Sequence, residues 1–295
     1  MSQPTVMFCV GATKAGTSWL HDHLSAHPDC HFRTVKELHY FQMTEPAQFA
    51  TARRRLNADI TRLEARLAAG EGVRSRIERR LGDLRDWRQV LRVRTTDLQA
   101  YRDFLTEGRG DRRLVGDVTP AYALLAADRL ALLPRVADDT RVVYLMRDPV
   151  ARLWSHVRMV AKRVAPDSFA DEARTLLARV TGGDLSGEAA GIAARGDYAT
   201  ILPRLARAFD PQRLLVMFYE DMLTLPGLLR LWAFLGIRAV EADLDRRVHE
   251  GLSLAMTEDQ RRAARGWLRP QYEYVSGHFA TLPAAWRANM EEGLA

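Results

Sequence analysis

The sequence predicts an α/β fold of three layers, a central parallel sheet with helices on both faces. Two observations predict it: short strand-like runs alternate with segments of helical spacing, and a glycine-bearing turn follows the first run directly. A third bounds the size. At 295 residues, 47% hydrophobic and 27% charged, the chain suits one large domain, residues 1–295, that buries its core without disulfide or metal staples.

The elements follow in order. Thr5–Val10, Leu114–Val118, Arg141–Met146 and Leu214–Tyr219 are rich in β-branched and aromatic residues and read as buried strands. Gly16–Ala26, Ala151–Val160, Tyr198–Ala208 and Leu223–Leu235 carry helical spacing, and in the last of these Leu228, Leu231, Trp232 and Leu235 share one face. An insertion, about residues 46–112, separates the first strand unit from the second. Within it Leu56, Ile60, Leu63 and Leu67 recur at helical spacing, AAGEG breaks the pattern, and Ile77, Leu81, Leu84 and Leu91 resume it. That pattern predicts an antiparallel helical hairpin. Ala165–Arg195 reads as a second, less regular insertion with a turn at TGGDLSG.

Charge is unevenly placed. The chain carries +6, while residues 51–113 hold 17 Arg, no Lys and 10 acidic residues, a local balance of +7. Such a face suits an anionic partner: an acidic glycan, a lipid headgroup or a membrane surface. A solvated helical face laced with i,i+4 ion pairs explains it equally well. The N-terminal segment has no basic region or long apolar stretch, and no run approaches the roughly 18 apolar residues of a membrane span. The two cysteines, Cys9 and Cys30, lack metal-ligand spacing, and no metal site is expected. A cytoplasmic protein in a reducing compartment is the expectation.

The first strand runs into GATKAGTSWL, residues 11–20. A tight turn between strand and helix exposes backbone N–H groups, and the helix N-terminus adds partial positive charge, so the turn is an anion site. Aligned on its glycines it reads G-x-x-x-x-G-T-S, a P-loop-like pattern in which Thr17 stands where a nucleotide triphosphatase has lysine. The lysine, Lys14, comes three residues earlier. It can lie beside the bridging oxygen of a single bound phosphate, while Thr17 and Ser18 hold that phosphate with backbone help. Residues 141–156 read RVVYLMRDPVARLWSH. Arg147 at the strand end offers a bidentate fork for phosphate, Pro149 suits the first helical turn, and Ser155 lies about two turns on, where it can donate to the same anion.

On these residues the chain resembles the sulfotransferases that use 3′-phosphoadenosine 5′-phosphosulfate (PAPS). KAGTSW resembles their K-x-G-T-[ST]-W/L loop. The resemblance implies that Lys14, Ala15, Gly16, Thr17 and Ser18 hold the 5′-phosphosulfate, and that Trp19 packs against adenine, although an ordinary core tryptophan fits as well. It implies that Arg147 and Ser155 bind the 3′-phosphate. GDVTPAY (116–122), RGDYATILPRLARAF, whose Tyr198 would approach the adenine, and RLLVMFYEDMLTLPGLLRLWAFLGI echo other family segments. The resemblance spans most of residues 5–238 and leaves the hairpin and residues 161–194 unmatched. Beyond 238 it fades. RRVHEGLS (246–253) is the candidate for the family's basic closing loop, in which Arg246 and Arg247 would close over the nucleotide and Arg247 would be a 3′-phosphate ligand.

TVKELHYF, residues 34–41, resembles the K-E-x-H-F-F segment of heparan sulfate and related bacterial sulfotransferases, which implies that Glu37 is the catalytic base. The small-molecule branch uses a histidine after a later strand, and none follows Val118 here; His39 is the one plausible substitute. Glu37 and His39 would share a face if the segment is extended. A surface ion pair for Glu37 and a structural hydrogen bond for His39 are the plainer readings of the two residues. The implied reaction moves a sulfuryl group from PAPS to a hydroxyl or amine, with 3′,5′-ADP released and no metal required. Glu37 takes the acceptor proton, Lys14 stabilises the leaving phosphate, and Lys36 contacts the sulfuryl oxygens.

Two rivals stand beside this. A P-loop kinase of a small metabolite shares the fold but lacks lysine at position 17 and a clear Mg²⁺-holding acid. A polyanion- or nucleic-acid-binding module would use the hairpin, which has few interleaved aromatics beyond Trp87 and Tyr101. No specific nucleic-acid partner is expected, and the acceptor (glycan, lipid, peptide or small metabolite) stays open.

Overall fold

The computed structural model describes residues 3–242 and 254–292. Five strands, β1 (Thr5–Gly11), β2 (Cys30–His31), β3 (Leu114–Val118), β4 (Thr140–Met146) and β5 (Leu214–Phe218), form one sheet in the order β2–β3–β1–β4–β5. Every pairing is parallel. Val6–Val10 are completely buried, as expected of a central strand covered on both faces. Helix α1 (Thr17–Ala26) follows β1, and α2 (Pro46–Ala68), α3 (Arg74–Val90) and α4 (Leu98–Thr106) form the insertion before β3. The short α5 (Ala127–Leu130) precedes β4. Four helices lie between β4 and β5: α6 (Pro149–Val164), α7 (Phe169–Thr181), α8 (Glu188–Ala194) and α9 (Tyr198–Ala208). Helices α10 (Tyr219–Met222), α11 (Leu225–Leu235), α12 (Glu258–Ser276) and α13 (Ala284–Glu291) follow β5.

The four expected strands and four expected helices are present, with small shifts. β5 stops at Phe218 because Tyr219 already opens α10. β2 escapes the sequence pattern because two residues show no periodicity. The second insertion is more regular than expected: Ala173, Leu176, Leu177 and Val180 give α7 a buried stripe, and α8 follows the glycine turn. Helix α12 carries the same kind of stripe, Ala264, Leu268, Tyr272 and Val275, inside an otherwise polar helix.

The hairpin is antiparallel. Arg85 of α3 pairs with Glu64 of α2 at 2.7 Å, and Arg88 reaches Asn57 nearer the base. Leu56, Ile60 and Leu63 face Ile77, Leu81 and Leu84 in the buried seam. Much of the arginine surface is paired locally, as in Arg62–Asp59 and Arg74–Glu78.

The sheet register brings three strand ends together. Cys9 lies opposite Val118, and Gly11 opposite Tyr144, so the loops leaving β1, β3 and β4 emerge side by side. Ligands of open α/β sheets bind at this C-terminal edge, where the chain's direction across the sheet reverses.

Candidate active site

The loop after β1 is shaped by close approach. Gly16 has φ 81° and is the N-cap of α1, with no side chain capping the helix. A Cβ at Gly16 would run into the ring of Tyr219, and one at Gly11 would lie 2.5 Å from Cε2 of Tyr144. Glycine is therefore required at both positions. The first-turn amides of α1 are left to an incoming anion. Thr17 is buried, and Ala15 contributes backbone only, its side chain being fully enclosed.

Cations converge on this turn. Arg147, just after β4, donates from Nη1 to the Lys14 carbonyl at 3.1 Å and sits 5.2 Å above the ring of Tyr219. Lys36 Nζ donates to Ser18 Oγ at 2.8 Å and lies 3.3 Å from Glu37 Oε1. Burial, with Arg147, Lys36 and Arg158 as neighbouring positive charges, holds the Lys14 ammonium below its ordinary pKa. A turn crowded with like charges around exposed amides is built to be neutralised by a ligand anion.

Glu37 and His39 meet, but not by the expected route. The segment is not extended: both residues are left-handed, with φ 60° and 53°. Their backbone is bent because Glu37 N–H donates to the carbonyl of Val118 at the end of β3 and His39 opens a single helical turn at Tyr40–Gln42. The bend leaves His39 Nε2 3.6 Å from Glu37 Oε2, while Nδ1 lies 2.5 Å from Gln42 Oε1. Both side chains are nearly half exposed. Burial pushes the Glu37 carboxyl up, but the contact with His39 and the charge of Lys36 outweigh it and hold the group below its ordinary range. The same contact with Glu37 raises His39 against its burial.

Beneath this pair lies a carboxyl the sequence reading passed over. Asp117, in GDVTPAY, is buried, accepts from Tyr101 and Thr119 at 2.7 Å each, and is pushed upward by burial. Tyr122, beside the same carboxylate, accepts from the N–H of Tyr40 at 2.9 Å. Asp117 thus braces the Glu37–His39 bend from below, through Tyr122 and Tyr40.

Two expected ligands are enclosed by protein. Tyr198 is fully enclosed; its hydroxyl accepts from Arg147 N–H at 3.1 Å and donates to the Arg147 carbonyl at 2.7 Å. It fixes Arg147 from behind and offers no face to a base. Trp19 is 6% exposed and stacks on His23, which stacks in turn on Trp232, so the core-tryptophan reading describes it. Arg246 and Arg247 lie outside the described residues.

Next to Arg147 opens a cavity of about 240 Å³ lined by Ala151, Trp154, Arg158, Met256 and Arg261 among others. Ser155 lies between Ala151 and Arg158 on the same helical face. Arg158 is therefore readable in hindsight from Ser155 by its spacing, whereas Arg261 comes from α12 with no local signal. Among the described residues, no cluster of three or more His, Cys, Asp or Glu is arranged for a metal ion, and no helix is long and apolar enough to cross a membrane.

A family model described as "Sulfotransferase family" matches residues 5–241, most of the chain. The chain belongs to the sulfotransferase family. No match is found among curated proteins. Among solved structures, a sulfotransferase from Alicyclobacillus acidocaldarius superposes with a TM-score of 0.62 at 22% identity, covering 97% of this chain and 100% of that one. A sulfotransferase domain from the curacin biosynthetic pathway gives 0.52 at 18% identity, over 83% and 80% of the two chains. These likenesses agree with the fold of this sulfotransferase; the family model carries the assignment.

Proposed function

We propose that this sulfotransferase moves a sulfuryl group from PAPS to a hydroxyl or amine, releasing 3′,5′-ADP. The single observation that carries the reading is the convergence of Lys14, Lys36 and Arg147 on the uncapped start of α1, within reach of an ionised Glu37. The 5′-phosphosulfate fits the turn, where the amides of Thr17 and Ser18 and the Ser18 hydroxyl face it. The 3′-phosphate fits beside Arg147, Ser155 and Arg158, at the edge of the cavity.

Each residue then has a task. Glu37 accepts the acceptor's proton as its oxygen or nitrogen attacks sulfur in line with the departing phosphate oxygen. Proton removal of this kind contributes on the order of 10² to 10⁴ in rate. Lys14 meets the negative charge that grows on the leaving phosphate, an interaction stronger in the transition state than before it. Lys36, held between Ser18 and Glu37, spans the two halves of the site and contacts the sulfuryl oxygens. His39 keeps Glu37 ionised and aimed. The Lys-Glu-x-His order supports a likeness to the heparan sulfate and bacterial branch.

The test is incubation with radiolabelled PAPS and a panel of glycans, lipid headgroups, peptides and small alcohols or amines. Label transfer with stoichiometric 3′,5′-ADP is expected for at least one class. Binding of ATP with Mg²⁺ in preference to 3′,5′-ADP would overturn the reading in favour of a kinase.

A further inference from the structure

The inserted hairpin grips the chain just before the catalytic loop. Asp83 of α3 is buried, and its Oδ2 accepts from both the N–H and the hydroxyl of Thr34 at 2.6 Å. Its Oδ1 faces Arg33 Nε at 2.9 Å, and Asp86, one turn on, pairs with the same guanidinium. In the opposite direction Arg80 donates to the Thr34 carbonyl and Arg79 to the Phe32 carbonyl at 3.4 Å. Arg33 also donates to the Glu107 carbonyl and covers the ring of Phe104 at 4.6 Å. Three consecutive residues, 32–34, are thus tied to the insertion by both side chain and backbone. Two residues later come Lys36 and the left-handed Glu37.

We infer that the insertion is the mount of the catalytic loop, with Asp83 the positioning residue that sets where Glu37 and Lys36 stand. The argument is one of leverage. Residues 35–39 include two positive-φ residues and only a two-residue strand upstream, so they have little secondary structure of their own to hold them. Their middle is pinned to β3 through Glu37 N–H and Val118, and their downstream end through Tyr40 N–H and the Tyr122 hydroxyl. Their upstream end is fixed chiefly through Asp83, because a carboxylate taking two hydrogen bonds and an ion pair in a buried place is the strongest of these ties. Arg79 and Arg80, which look in sequence like part of a ligand-binding surface, serve the same mount. A catalytic group misplaced by about 1 Å loses on the order of a hundredfold in rate.

This inference rests on Glu37 being the base, and the experiment separates the two claims. Asp83→Asn and the milder Thr34→Val are assayed with PAPS turnover, 3′,5′-ADP calorimetry and a double-mutant cycle against Glu37→Gln. Asp83→Asn is expected to lower kcat about tenfold or more and Thr34→Val about threefold, with 3′,5′-ADP affinity unchanged. In the Glu37→Gln background each should cost less than twofold, since the effect passes through Glu37. Arg85→Gln, which breaks a pair between the hairpin helices only, should leave kcat as it is. Full additivity with Glu37→Gln, or an equal loss of nucleotide affinity and kcat, would overturn the positioning role and leave the base assignment standing. If both variants keep full kcat, the mount is wrong. If Glu37→Gln itself keeps full kcat, the base assignment has failed, and a kcat loss from Asp83→Asn must then be traced to Lys36 or the inference falls with it.

Discussion

The two walls of the site are built by different means. The wall proposed for the nucleotide, residues 11–18 with Arg147, is made of backbone and a strand end fixed by the sheet, with Gly16 seated under Tyr219 and Arg147 latched from behind by Tyr198; Ser155 joins it from within α6. The base wall, residues 32–42, has two left-handed residues and is held by side chains from an insertion and by the aromatic cluster of Tyr40, Phe41, Trp87 and Tyr101. A wall made of backbone needs particular residues at fixed spacing, so it leaves a motif. A wall held by long-range side-chain contacts leaves a motif only where its own residues face the cleft, as in TVKELHYF, and none for the side chains that hold it.

Substitutions on the two walls should therefore fail differently. The largest effect belongs to Lys14→Ala, which should cut kcat by roughly a thousandfold while weakening 3′,5′-ADP only a few-fold, because its contact strengthens as the leaving group departs. Stopped turnover assays alongside calorimetry check it; survival of kcat within threefold would reduce Lys14 to a binding residue. Next comes Glu37→Gln, expected to lose at least about a hundredfold in kcat with fold and nucleotide affinity intact.

The pH profile sharpens the same wall. As the proposed base Glu37 must be ionised, and it is held below the ordinary carboxylate range, so activity should fall on the acid side only beneath that range. Removing the His39 contact withdraws a downward influence, so the acid limb of His39→Ala should move to higher pH while kcat on the plateau falls less than in Glu37→Gln. The reverse ranking would make His39 the base.

Smaller effects probe the insertion's outer face. Glutamine at the exposed Arg54 and Arg55 should raise acceptor KM a few-fold with PAPS KM unchanged, an effect that shrinks as salt screens the charges. If PAPS KM alone moves, the face belongs to the nucleotide. Smallest of all, Arg74→Gln near the hairpin tip breaks an exposed pair and should change stability by no more than about 0.5 kcal/mol in thermal melts.

The same contrast explains how much the sequence revealed. Four strands, the helices beside them, the hairpin and its break were legible because each repeats an apolar period over many residues. Lys14, Gly16 and Arg147 could be singled out because a strand–turn–helix start and a strand end favour such residues at those places. Tyr198 and Trp19 were found as positions but their burial was not, since sequence alone does not tell a ring that faces a ligand from one sealed in the core. Asp83, Asp117 and Arg261 were invisible: Asp83 meets Thr34 49 positions away, Asp117 meets Tyr101 16 away, and Arg261 lines a cavity with Arg147, contacts that only the folded chain creates. The bend at Glu37–His39 was missed for the same reason, because what pulls it is the distant carbonyl of Val118.

Sulfuryl transfer from PAPS is the central claim, and the 3′-phosphate is what separates that donor from ordinary adenylates. Calorimetric titration with 3′,5′-ADP and with 5′-AMP tests it most directly. A partly buried arginine contact to phosphate is worth about 1.5–3 kcal/mol. The account predicts that 3′,5′-ADP binds roughly tenfold to a hundredfold more tightly, and that Arg147→Ala erases most of the difference. Equal affinities for the two nucleotides in the unaltered protein would contradict it.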